Sequence, residues 1–294
     1  MSLYALALVV TAAFLHAGWN LLAKRISART GGGSPLVFLT SLGVTVLYLP
    51  AAIWVLATEA HTLDLKAWLW ICLSAVLHYG YSLVLQRGYE TGDLSVVYPL
   101  ARGTGPLLSS IGAIFVLGER PGWLAACGIL LVISGVLLLA GGRRLFRVSA
   151  FHSNLESGVG WGLLTGLFIA TYTLVDGYGV KVLLLSPLLL DYFSGVVRGA
   201  MSAPRAFTQW PHVTLLWQRH QKEILGIALL SPLSYILVLT ALQEAPVSHV
   251  APARELSMMV AAFLGVRLLN EGDMVQRMAA AGLIVAGVIA LTLG

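Results

Sequence analysis

Runs of about twenty apolar residues recur from one end of this chain to the other, and no other feature limits its fold as much. A helix of about that length crosses a hydrocarbon core roughly 30 Å thick. Lipid offers no hydrogen bonds, so each crossing segment must satisfy its own backbone as a helix or join a closed barrel. The runs lack the short alternating pattern of barrel strands, so helices are expected. Ten spans are predicted, approximately over residues 3–23, 36–57, 67–87, 94–117, 122–141, 158–180, 184–204, 222–242, 247–269 and 274–293. The longest connections then fall around 142–157 and 205–221, which leaves no room for a soluble catalytic domain.

Composition agrees with this. Only 11% of the residues are charged and 58% are hydrophobic, against about 25% charged in an ordinary soluble domain. Disorder and a water-soluble enzyme are both excluded on this ground. The net charge of +5 is read as loop lysines and arginines that set topology, not as a nucleic-acid surface. Cys72 and Cys127 sit inside apolar runs, without disulfide or metal-ligand spacing. The run beginning at Leu3 lacks a basic leader and a small-residue cleavage site, so it is expected to be a retained span.

The chain repeats itself. Residues 81–90, YSLVLQRGYE, resemble residues 235–244, YILVLTALQE. Ser95 and Pro99 match Ser248 and Pro252, Arg102 matches Arg254, and Glu119 matches Glu271, at offsets that slip from 154 to 152 residues. The expected organisation is a first repeat over 1–141, a linker over 142–157 and a second repeat over 158–294. Five is odd, so the second copy must enter the membrane upside down. Inverted repeats of this kind build secondary transporters, which expose one central site to each side in turn. Twelve basic residues lie in the odd-numbered connections and three, Lys66, Arg120 and Lys181, in the even ones. The positive-inside rule then places both termini outside.

A charge at mid-membrane costs roughly 2.5–3.5 kcal/mol on insertion scales, so it normally faces the bundle interior or a cavity. Arg102 and Arg254 occupy matching positions, and as a pair would attract a carboxylate or phosphate. Glu255 follows Arg254, but neighbours in a helix point about 100° apart and need not pair. Tyr172 and Asp176 share a helix face, and Asp176, Glu255 and His249 are candidates for coupling transport to protons. Asp191 and Arg198 lie two turns apart on one face and are expected to be structural. Pro99 and Pro252 each free a serine carbonyl four residues back, so both are expected to kink their helices. His16, Trp19 and Asn20 on span one, His78, Tyr79 and Tyr81 on span three, and Tyr98, Tyr178 and Tyr235 add polar and aromatic groups. From these, Trp19, Asn20, His78, Tyr79, Tyr98, Arg102, Tyr172, Tyr235 and Arg254 are the substrate-binding candidates. Spans five and ten carry small residues and hardly any polar groups, which suits close packing or a dimer surface.

No phosphate-binding loop lysine, Gly-x-Ser-x-Gly or His-Glu-x-x-His occurs, and Gly31-Gly32-Gly33 stands between spans. No cofactor, metal or nucleic acid is implied. The ten spans, the five-plus-five duplication, the opening His16-Ala17-Gly18-Trp19-Asn20 with Lys24, and Gly118-Glu119 resemble the drug/metabolite transporter superfamily, in its EamA-type branch. In the second half Asn270-Glu271 stands where that family often has Gly-Glu. The resemblance implies an inner-membrane exporter of amino acids or metabolites. It also implies a cavity lined by spans one, three, four, six, eight and nine, and cytoplasmic termini, against the loop charges. The expected activity is export of small zwitterions, amino acids foremost and aromatic ones among them, by a monomer or homodimer. Carriage of phosphonates or sugar phosphates is the rival within the class, and a non-transporting receptor or assembly subunit the rival outside it.

Overall fold

The computed structural model describes residues 1–58, 63–91, 94–140, 158–260 and 274–294. The described residues form ten helices and no strand. They are α1 (Leu3–Thr30), α2 (Ser34–Thr58), α3 (Leu65–Thr91), α4 (Leu94–Val116), α5 (Trp123–Ala140), α6 (Gly160–Lys181), α7 (Pro187–Thr208), α8 (Trp210–Glu244), α9 (Val247–Ala253) and α10 (Met274–Leu293). The expected linker at 142–157, Arg267, and the Asn270-Glu271 pair lie outside the described residues.

The helix ends follow local chemistry. Ser2 accepts the amide of Ala5 at 3.1 Å, and Asp64 accepts that of Ala67 at 2.8 Å, each satisfying an orphan donor of a first helical turn. Pro187 stands in the first turn of α7, where its missing N–H costs nothing. The Met1 ammonium donates to the Thr292 carbonyl at 3.1 Å, so both ends of the chain lie at one end of the bundle, as an even number of crossings requires.

The packing follows the repeat. The α1–α8 and α3–α6 contacts are mates across the duplication, and α2–α7 and α5–α10 pair each element with its own counterpart. Glycine brings α5 and α10 together. A methyl group on Gly128 would lie 2.8 Å from the Gly287 carbonyl oxygen, and one on Gly135 would lie 2.8 Å from that of Ala280. The small-residue faces of these two helices are therefore occupied by each other. Cys72 and Cys127 are free and exposed on the outside of the bundle. Among the described residues, five helices are long and apolar enough to cross a membrane whole.

One expectation is corrected. The stretch 205–221 is not a loop: α7 runs to Thr208 and α8 begins at Trp210. Residues 210–219 form an amphipathic helix whose Val213 and Leu216 bury against Ile26, Leu39 and Ala206. It is too polar to register as a span, so the apolar-run criterion missed it. At His220 the backbone leaves helical geometry (φ −134°, ψ 30°), and α8 changes direction there into the membrane.

Candidate functional site

Four helices converge on a small cavity of about 10 Å³. Ala12, Ala13 and His16 come from α1, Arg102 from α4, Ser234, Tyr235 and Val238 from α8, and Arg254 and Ser257 from the α9 region. That volume is barely what a single water molecule needs. Ala12 and Ala13 keep the α1 wall low, and the two symmetry-related arginines reach in from α4 and from the turn that follows α9.

Pro252 shapes the α9 side. A proline cannot donate to the carbonyl four residues back, here that of Ser248. The Ser110 hydroxyl of α4 donates to the Pro106 carbonyl of its own helix at 2.8 Å and lies 3.4 Å from the Ser248 oxygen, so the two repeats meet at the group that Pro252 cannot serve. Helix α9 ends at Ala253, turns at Arg254 and Glu255 and becomes helical again at Leu256. The turn sends the two adjacent charges apart. Glu255 Oε2 lies 3.1 Å from Arg102 Nη2 in the other repeat. Arg254 instead points its Nη2 at the Tyr172 hydroxyl, 3.5 Å away, with its guanidinium carbon 5.7 Å from the centre of the Tyr235 ring. Helix α4, by contrast, runs through Pro99 without a break.

Behind Tyr235 lies a buried polar cluster. Asp176 on α6 is fully buried. His78 Nε2 on α3 lies 2.9 Å from its Oδ2, and the Tyr235 hydroxyl donates to the same oxygen. Asp176 Oδ1 has no hydrogen-bond partner among the described residues. The Tyr172 ring stacks on His78 with centroids 4.0 Å apart, and Tyr81 meets the edge of Tyr172. A single residue, Tyr235, thus touches the cavity, the Arg254 cation and the Asp176 carboxylate.

The other sequence candidates are distributed as follows. Trp19 and Asn20 flank His16 instead of lining the cavity: Trp19 Nε1 donates to His16 Nδ1 at 3.3 Å, and Asn20 Nδ2 to the His16 carbonyl at 2.7 Å. Tyr98 stands one turn before Arg102 on α4 and packs against the largest apolar core. Tyr79 is half-buried and makes no hydrogen bond or ring contact among the described residues. His249 lies beside Ser248 Oγ at 3.3 Å, at the start of α9 and away from the cavity. Asp191 and Arg198 approach to 3.5 Å within α7. His16, Ser234 and Ser257 belong to the cavity wall but were not among the substrate-binding candidates. The sequence signal for His16 was its place at the head of the His16-Ala17-Gly18-Trp19-Asn20 run, beside two residues that were candidates.

A second inter-repeat contact closes the end where the termini lie. Gly118 turns the chain with φ +69°, and Glu119 then accepts the amides of Val247 at 2.6 Å and Ser248 at 2.9 Å. Lys181 Nζ stands 3.7 Å from the same carboxylate. A carboxylate on exposed N–H groups at a helix start is favoured by charge and hydrogen bonding together.

Comparison with known proteins completes the description. The sequence model of the EamA-like transporter family matches residues 3–141 and 156–293. No curated protein matches significantly. A solved structure, described only as the crystal structure of a protein, superposes with a TM-score of 0.73 at 17% identity, over 98% of this chain and 96% of that one. At that identity the likeness concerns the fold.

Proposed function

This chain belongs to the EamA-like transporter family, and from that premise we propose that it carries small zwitterionic metabolites, amino acids foremost, outward across a bacterial-type inner membrane. The observation that carries the reading is the unequal state of the two cavity arginines. Arg102 has its counter-ion in Glu255 at 3.1 Å. Arg254 has no carboxylate within 4.0 Å among the described residues. One unmatched guanidinium in the wall suits one substrate carboxylate, which it can hold through paired hydrogen bonds. Tyr172 and Tyr235 hold that guanidinium in place, and the aromatic groups behind it suit varied side chains, aromatic ones included. The repeats 1–141 and 158–294 rock about the site, and His78 with Asp176 offers a place where a proton could be exchanged.

Counterflow in proteoliposomes with a panel of labelled amino acids tests the proposal. Saturable flux is expected in the native chain and should be lost in Arg254→Gln. The presence of both arginines in the wall favours one second reading, a phosphonate or sugar phosphate. Flux of such an anion, with no amino acid competing, would replace the first reading with the second. Absence of flux for either class would discard both.

A further inference from the structure

The amphipathic start of α8 has an outer surface that transport does not employ. Three exposed basic residues, Arg205, Arg219 and Lys222, lie along α7 and α8, and three more, Lys24, Arg25 and Arg29, along the last turns of α1. The tertiary fold brings the two sets to one end of the bundle. Ile26 packs in one cluster with Ala206, Val213 and Leu216, and the Thr30 hydroxyl lies 2.7 Å from His220 Nε2. Among the described residues none of the six has a carboxylate within 4.0 Å. The sequence withholds counter-ions here, for no Asp or Glu occurs in residues 1–58 or 192–222. Glu223, at the edge of the surface, is half-buried and turned to His220, 3.9 Å away.

Large aromatic side chains stand among these cations. Phe207 is 60% exposed, Trp210 51% and Trp217 40%, and Phe207 stacks on Trp210 with centroids 5.8 Å apart. Rings of this kind settle at the boundary between acyl chains and headgroups. That depth places the flexible lysine and arginine tips at the level of lipid phosphates.

We propose that this end of the bundle is a binding surface for the phosphate headgroups of anionic phospholipids. The surface is built from the α1 end, the α7 end and the interfacial segment 210–219. Aromatic rings set its depth, and the six uncompensated cations select negative headgroups over zwitterionic ones. Lipid held there also grips the outer arm of α8, whose inner arm carries Ser234, Tyr235 and Val238 into the cavity.

The test uses the purified chain in mixed vesicles with spin-labelled phosphatidylglycerol or phosphatidylcholine, reading the immobilised lipid fraction by electron paramagnetic resonance. This readout is independent of any substrate. Phosphatidylglycerol should be preferred, and the triple variant Arg205→Gln, Arg219→Gln, Lys222→Gln should reduce that preference by about fivefold or more, as expected for loss of juxtamembrane cations. The charge-conserving pair Arg205→Lys, Arg219→Lys should keep it, and high salt should weaken it. A preference unchanged in the triple variant would overturn the proposal. So would an equal loss in Lys66→Gln, Arg120→Gln, which removes exposed cations from the opposite end.

Discussion

At the scale of single residues, this protein is governed by what its buried charges face. Arg102 and Glu255 are both largely withdrawn from water, and their mutual attraction offsets that loss only while both are present. Removing one partner of a buried pair costs about 3–5 kcal/mol, because the other is left uncompensated. Arg102→Gln should therefore lower the thermal unfolding midpoint in detergent markedly, and the double variant Arg102→Gln, Glu255→Gln should recover most of the loss. Equal destabilisation in single and double variants would show that the 3.1 Å contact is not a working pair. Arg254 should behave differently. Its neighbours are a hydroxyl and a ring face, so Arg254→Gln should disturb stability much less while abolishing transport. The types and symmetry of these residues were legible in the sequence, Arg102 matching Arg254 and Pro99 matching Pro252. Their pairing was not: an offset of about 100° says that Arg254 and Glu255 need not face one partner, but not which distant group each one meets.

At the scale of elements, two devices join the repeats, and each has its own signature. Helices α5 and α10 touch backbone to backbone because glycine leaves room. A bulkier residue meets the partner helix at main-chain atoms, which cannot swing aside. Gly135→Leu should destabilise by about 1–3 kcal/mol or more, as overpacking does, seen as a lower unfolding midpoint and greater protease sensitivity; an unchanged midpoint would refute the close approach. The second device is Glu119 on the α9 amides. Glu119→Ala removes both acceptors and should cost about 0.5–2 kcal/mol, the usual worth of such a cap, whereas Glu119→Gln should retain part of it. The small-residue pattern of α5 and α10 was readable; the Gly118-Glu119 pair stood out only through the family resemblance, which gave its carboxylate no partner. The amphipathic start of α8 was not, since a hydropathy window rejects the mixed stretch that docks it to α1.

At the scale of the whole molecule, the cavity of about 10 Å³ is too small for any amino acid, so transport requires the repeats to part. Ser110 and Ser248 belong to different repeats and meet at 3.4 Å. In a background with the exposed Cys72 and Cys127 replaced by alanine, the pair Ser110→Cys, Ser248→Cys joined by a short cleavable thiol cross-linker should stop flux. Cleaving the linker should restore it. Full flux in the cross-linked protein would mean that the repeats need not separate at this contact. By itself the sequence determined the medium, the number of spans and their duplication, because length and hydropathy are local and lipid leaves a helix no alternative. Only the tertiary structure decided that Glu255 answers Arg102, that Arg254 stands without a carboxylate among the described residues, and that Asp176 is held by His78 and Tyr235. Those partners are far apart along the chain or turned apart by a helix break, and a buried charge is defined by whatever the fold sets against it.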